Sequence, residues 1–259
     1  MDNAHGAYLR FLEKSLHPID LGADLCCDSA HKTMPVLTGG AYLHVSLNAP
    51  EFLAAQARNA LALYATTSPS FLILQSLDLA NAWAAEGKIS AFAVQVADLR
   101  SRLEAKGLHF YGEEPLKLTV EAAPLGYTGT ALAEKLRARG VECEFADPDY
   151  LVLMLSPKME AQELVQIEDA LSAIEPKTLL PRQLPAFHRC RQVMSVRQAM
   201  LAPAETVAVE QSLGRVLAAP SVGCPPAVPI VICGEQIDEA AIDMFYRYGI
   251  RRCTVVEES

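Results

Sequence analysis

The chain has 259 residues, half of them apolar and a fifth charged, enough to bury one large core or two smaller ones. Its net charge of −9 and scattered Lys and Arg argue against nucleic acid, where clustered cations must displace counterions. No run approaches the 18 or more uncharged apolar residues a membrane span needs, and no basic start with an apolar stretch follows Met1, so a cytoplasmic protein is expected.

In chain order, Asp2-Asn3-Ala4-His5-Gly6 reads as a strand end followed by a helix. A short apolar stretch over 23–28 ends at Asp28, and Gly39-Gly40 breaks the chain before a strand over 41–47. Pro50-Glu51 opens a helix to about Tyr64, since Pro at a first-turn position loses no intrahelical hydrogen bond. The polar turn Thr66 to Ser70 caps a helix over about 70–85, and a further helix covers about 88–106. The pattern changes after Gly107. A strand over 116–121, a helix from Gly129 to about Gly140, strands near 141–146 and 150–155 and a helix over 160–174 form a small α/β module.

Residues 176–192 read as a crossing linker; Arg182, Arg189, Arg191 and Arg197 lie in or near it without forming a basic cluster. Beyond it a helix near 195–201, a strand over 228–233, and a final helix and strand are expected. Lys135, Arg137 and Arg139 read as a solvated helix face, and Glu113 and Glu114 as solvated carboxylates. The seven cysteines form no CxxC pair, so no metal site is expected and a reduced protein with thiols in its core explains them.

The segment with the strongest chemical content is Asp28-Ser29-Ala30-His31-Lys32-Thr33-Met34-Pro35. Ser29, His31 and Thr33 place three hydrogen-bonding groups around one amine. An aldehyde cofactor needs a lysine as imine partner, and a phosphate needs hydroxyl, imidazole and backbone donors. Thirty residues upstream, Asp2 could keep a pyridine nitrogen protonated, while Ala4 leaves room for a flat ring against the backbone.

Together, Asp-x-Ala-His-Gly-Ala and Asp-Ser-Ala-His-Lys-Thr-x-Pro-Val-Leu-Thr-Gly-Gly-Ala-Tyr-Leu-His strongly resemble the bacterial ornithine/lysine/arginine decarboxylases, pyridoxal-phosphate (PLP) enzymes of the aminotransferase-like fold group. The likeness continues through Thr66 to Ser70, Gly126-Tyr127-Thr128-Gly129, Val209 to Val216 and Cys224 to Glu235. The resemblance implies an α/β chain. Residues 1–110 would be the C-terminal half of a PLP-binding large domain, and 111–259 a smaller α/β C-terminal region.

It implies further that Lys32 carries PLP, Ser29 and His31 contact its phosphate, and Asp2 partners the pyridine nitrogen. Ala4 would pack beneath the ring, and His5 would sit near the phenolic oxygen and act with Lys32 and Asp2 in catalysis. Thr67 and Ser68 read either as a phosphate approach across a dimer interface or as a helix cap. The reaction implied is decarboxylation of ornithine, lysine or arginine to the amine, of polyamine type, with a buried Lys32 tuned for exchange near neutral pH. Glu235 reads as a turn carboxylate or as a contact to a distant substrate ammonium.

The resemblance also implies a homodimer or larger homo-oligomer. The family carries a further N-terminal half, so a truncated or split chain that needs a separately encoded half is the alternative, as is a related PLP reaction such as transamination. The chain departs from the family at Cys224, Ala227 and Cys233, where an aromatic, a glycine and a proline are usual.

Overall fold

The structure is a computed structural model that describes residues 1–181, 186, 188–220 and 228–258. Arg182 and the Cys224-Pro225-Pro226-Ala227 part of the tail motif lie outside the described residues. Contacts divide the chain into two units. One comprises Met1–Arg102 with Glu114–Leu116 and Leu155–Val165; the other comprises Leu103–Glu113, Lys117–Met154 and Gln166–Ser259.

In the first unit, β1 (Leu25–Asp28) pairs antiparallel with β2 (Tyr42–Val45), with Cys26 opposite His44 and Asp28 opposite Tyr42. The start of the chain lies along the other side of β1. Cys27 N–H donates to Met1 O at 3.0 Å and Asn3 N–H to Cys27 O at 2.9 Å, which makes a parallel bridge between Asp2 and Cys27. A 3-10 helix, Ala7–Phe11, follows and buries Ala7 and Tyr8.

Three helices complete the unit: α1 (Glu51–Tyr64), α2 (Phe71–Ala84) and α3 (Lys88–Ala105), whose end lies in the second unit. Pro50 stands at the N-cap of α1, before the first turn expected to hold it, and Ser70 precedes α2 in extended conformation without the side-chain capping bond expected of the Thr66–Ser70 turn. Ile89, Phe92, Val96, Leu99 and Leu103 of α3 are all buried, and their alternating spacing of three and four residues places them on one helix face. Glu114, expected to be solvated, is half-buried and accepts from Tyr8 Oη at 3.4 Å. Its neighbour Glu113 is exposed.

In the second unit, β3 (Phe110–Tyr111), β4 (Lys117–Glu121), β5 (Phe145–Ala146) and β6 (Tyr150–Met154) form an antiparallel sheet in the order β3-β4-β6-β5. Leu118, Val120, Leu151 and Leu153 alternate inward, as the two-residue side-chain repeat of a strand requires. Helix α4 (Gly129–Arg137) buries Leu132, Ala133 and Leu136, and α5 (Ala161–Ser172) crosses from the first unit into the second. Lys135, Arg137 and Arg139 are exposed, with Arg137 paired to Glu142 at 2.8 Å.

After α6 (Val196–Leu201), β7 (Ala204–Ala208) pairs with β8 (Arg252–Val256), and α7 (Glu239–Arg247) precedes β8. Val207, Leu217, Ile237, Phe245 and Val255 make the core there. The strand expected over 228–233 is not formed. Pro229 makes only an isolated bridge, and the chain then turns: Glu235 N–H donates to Ile232 O at 3.1 Å. Glu235 is buried and its Oε2 accepts from Ile232 N–H at 3.0 Å, so this carboxylate closes the turn. No helix among the described residues is long and apolar enough to cross a membrane.

Candidate functional site

Strand β1 delivers the site. Its last residue, Asp28, runs directly into Ser29 and the 3-10 turn Ala30–His31–Lys32. The turn closes through Lys32 N–H to Ser29 O at 3.0 Å, while Met34 N–H reaches Ala30 O at 2.8 Å. Ala30 and Met34 are buried and pin the turn from below. His31 N–H reaches Gly40 O at 3.2 Å, so Gly40 is drawn against the turn. The Lys32 residue is exposed, which corrects the expectation of a buried amine: the 3-10 turn directs residue 32 away from the side buried at Ala30.

Two polar atoms of this turn have no hydrogen-bond partner although they are buried: His31 Nδ1 and Thr33 Oγ1. Ser29 precedes the turn without a side-chain capping bond. Leaving a buried donor or acceptor unsatisfied costs about 1–3 kcal/mol, so two such atoms beside one lysine mark a place where a ligand's acceptors would be welcomed.

The parallel bridge to Cys27 brings Asp2 alongside β1, one strand position before Asp28. Asp2 is exposed, and its Oδ1 accepts from Ala4 N–H at 3.1 Å, which holds the Asp2–Ala4 backbone in a tight turn. Ala4 and His5 are half-buried. The structure thus joins Asp2, Ala4, Ser29, His31 and Lys32 through one strand pairing. Thr67 and Ser68 stand in an exposed turn between α1 and α2. Its hydrogen bond is local, from Ser68 N–H to Thr66 Oγ1 at 3.1 Å.

One feature of the site escaped the sequence reading. The Asp28 carboxylate is 2% exposed and holds three separate segments together. Its Oδ2 accepts from His17 Nε2 and His44 Nε2, both at 2.9 Å, and its Oδ1 accepts from Asn3 Nδ2 at 2.8 Å. Burial alone would raise its pKa, but the hydrogen bonds from His44, His17 and Asn3 outweigh burial and hold it well below the usual carboxylate range.

The His17–Asp28–His44 set also has metal-ligand chemistry. Ile19 N–H donates to His17 Nδ1 at 3.3 Å, however, which puts the ring proton on Nε2, the atom facing Asp28. A metal there would have to displace that proton and break the Ile19 bond. A second such set, His188, Cys190 and Asp238, is already committed: Asp238 pairs with His188 Nε2 at 2.7 Å and caps α7 through Ala241 N–H at 3.0 Å.

Residues 1–118 match the family model described as Orn/Lys/Arg decarboxylase, major domain. The chain is 30% identical over 268 residues to an arginine decarboxylase of Halalkalibacterium halodurans, covering 93% of this chain and 53% of that protein. It is 28% identical over 280 residues to an arginine decarboxylase of Bacillus subtilis, covering 95% and 55%. The chain therefore spans about half the length of the curated relatives it matches.

In fold, it resembles a lysine decarboxylase of Francisella novicida, with a TM-score of 0.75, 14% identity, and 99% of this chain and 53% of the other covered. The constitutive lysine decarboxylase of E. coli gives 0.73 at 17% identity, covering 99% and 54%. A serine palmitoyltransferase of Sphingomonas wittichii gives 0.53 at 16% identity, over 67% of this chain and 46% of the other, and extends the fold likeness to a wider group. The major-domain match over residues 1–118 and the arginine decarboxylase relatives are consistent with the Orn/Lys/Arg decarboxylase family.

Proposed function

We propose that this chain contributes the lysine half of a PLP site that decarboxylates a basic amino acid, ornithine, lysine or arginine, to its amine. The observation that carries the reading is the exposed Lys32 residue flanked by His31 Nδ1 and Thr33 Oγ1, both buried and unpartnered. That donor set fits a phosphorylated aldehyde: an amine for the carbonyl, and hydroxyl and imidazole groups for the phosphate. The relatives named arginine decarboxylases support the choice of reaction over transamination.

When bound, PLP supplies the electron sink that accepts the pair released as the α-carboxylate leaves as CO2. The chain's own residues bind and orient. Lys32 Nζ would hold the cofactor's aldehyde carbon and could carry a proton to the substrate's α-carbon. The Asp2 carboxylate would hold a proton at the ring nitrogen. Ser29 Oγ, His31 Nδ1 and Thr33 Oγ1 would fix the phosphate, and Ala4 would leave space beneath the ring. His5 is assigned to the phenolic oxygen. Thr67 and Ser68, exposed as they are, suit a phosphate held by another copy in a homodimer.

The test is to add PLP to the purified chain, reduce with borohydride, and map the modified peptide by mass spectrometry. CO2 release from arginine, lysine and ornithine is measured alongside. Modification at Lys32 is expected. Modification at another lysine, or none, overturns the reading.

A further inference from the structure

The segments that hold the proposed site's two ends are fastened by a side-chain contact across 25 residues of sequence. Asn3 lies between Asp2 and Ala4, and Asp28 lies immediately before Ser29. The Asn3 amide donates to Asp28 Oδ1 at 2.8 Å across 25 residues of sequence. We propose that Asn3 and Asp28 form a positioning latch that sets the spacing between the Asp2–Ala4 backbone and the Ser29–Lys32 turn. As a statement about PLP, this rests on the function proposed above.

Three observations carry it. First, the contact is built and not incidental. A Cβ added at Gly6 would fall 2.0 Å from Asn3 Oδ1 and 2.5 Å from Asn3 Nδ2, so the missing side chain at Gly6 is what gives the Asn3 amide its place. Second, each carboxylate oxygen has a separate task. Oδ2 takes both histidine Nε2–H groups, and Oδ1 takes the Asn3 amide at 2.8 Å with a longer contact from the Cys26 thiol at 3.4 Å. The His17 tautomer is fixed by Ile19 N–H, so His17 has one donor to offer and spends it on Asp28. Third, Asp28 is buried, so its bonds meet little competition from water.

A backbone bridge already aligns residues 1–3 with 25–27. A strand bridge leaves the chain free to twist beyond its last bond, and the latch closes that freedom one residue later, where Asp2 and the lysine turn must face one ring. Neither Asn3 nor Asp28 needs to touch the cofactor. They act through Asp2, Ala4 and Ser29.

The division of tasks allows a specific rescue. Asn3→Asp sets two carboxylates against each other and breaks the latch. Adding Asp28→Asn restores it with the polarity reversed: the introduced amide oxygen serves both histidines, and its nitrogen donates to the introduced carboxylate. In PLP titrations followed by visible absorbance, Asn3→Asp should weaken binding at least ~10-fold, the loss expected of one charge-assisted bond worth about 1.4 kcal/mol. The pH midpoint of the visible band should move by about half a unit as Asp2 shifts from the ring. The double variant should recover both to within about threefold and a tenth of a unit.

Gly6→Ala, which evicts the Asn3 amide without adding charge, should act like Asn3→Asp. Thermal unfolding distinguishes a misfolded variant from a displaced site. Binding within twofold of the parent in Asn3→Asp, or no recovery in the double variant, overturns the proposal. Should the parent fail to place PLP on Lys32, the functional reading falls, and the latch is judged without cofactor. Amide hydrogen exchange over residues 4–8 and 29–34 should then quicken ~10-fold in Asn3→Asp and return in the double variant. Unchanged exchange overturns the latch itself.

Discussion

A carboxylate as deeply buried as Asp28 survives as an anion only because its surroundings are all donors. The pH consequence follows from the sign of its shift. Its folded pKa is held below the ordinary aspartate value of 3.8, so its contribution to stability is complete above about pH 4 and is lost as pH falls toward the folded value. Urea midpoints measured from pH 5 down to pH 3 should therefore fall more steeply in the parent than in Asp28→Asn, which has no proton to take up. Equal slopes would show that the Asp28 charge does not matter to folding. At the neighbouring site residues, Lys32→Ala should abolish the borohydride-trapped adduct. Asp2→Asn should leave the adduct intact and reduce turnover by orders of magnitude, because each ~1.4 kcal/mol of lost charge stabilisation is tenfold in rate. Near-normal turnover in Asp2→Asn would remove Asp2 from its assigned role.

At the scale of elements, the Gly126–Gly129 segment shows local chemistry deciding packing. Thr128 caps α4 by accepting from Ala131 N–H at 3.2 Å, and a Cβ on Gly129 would fall 1.9 Å from Tyr150 O in β6. Thr128→Ala should cost about 1 kcal/mol, as cap removals do. Gly129→Ala should cost more, in the range of about 1–3 kcal/mol typical of overpacking, because the obstacle is strand backbone that cannot swing aside. Denaturant melts of the two variants check the order, and a Gly129→Ala cost below that of Thr128→Ala would contradict it.

Such segments were legible in the sequence because their signals are local: Pro50 and Ser70 before helices, Thr128 before α4, apolar runs at β6 and along α3. The strand expected over 228–233 failed for the opposite reason, since an apolar run looks like a strand until the Ile232–Glu235 turn is weighed. The lysine turn was legible as a cluster of donors around one amine. The Asp28 hub was not, because its partners lie 11, 16 and 25 residues away and meet only once β1 pairs with both β2 and the chain start.

On the scale of the whole chain, the helices after β2 turn several large apolar side chains outward. Helix α1 buries none of its residues, and Phe52, Leu63, Tyr64, Phe71 and Leu72 of α1 and α2 all stand open to solvent. Scattered apolar residues are ordinary on a surface, but two successive helices carrying aromatic and leucine side chains outward form a patch that water disfavours at about 25 cal/mol per Å². The chain's net charge of −9 is too diffuse a repulsion to offset contacts of that kind at physiological ionic strength. Burial of this surface against another polypeptide is the expected remedy, and a second copy is the simplest source, in keeping with the homodimer proposed for the site. Light scattering on the size-exclusion peak should therefore report at least twice the chain mass of 28.1 kDa at micromolar concentration. Replacing Phe52, Leu63 and Phe71 together by Ser should lower that mass toward one chain while leaving far-ultraviolet circular dichroism in place, because none of the three is buried in the core. A monodisperse, cooperatively melting monomer of the parent chain would show that the patch is tolerated, and with it the argument for self-association through α1 and α2 would fall.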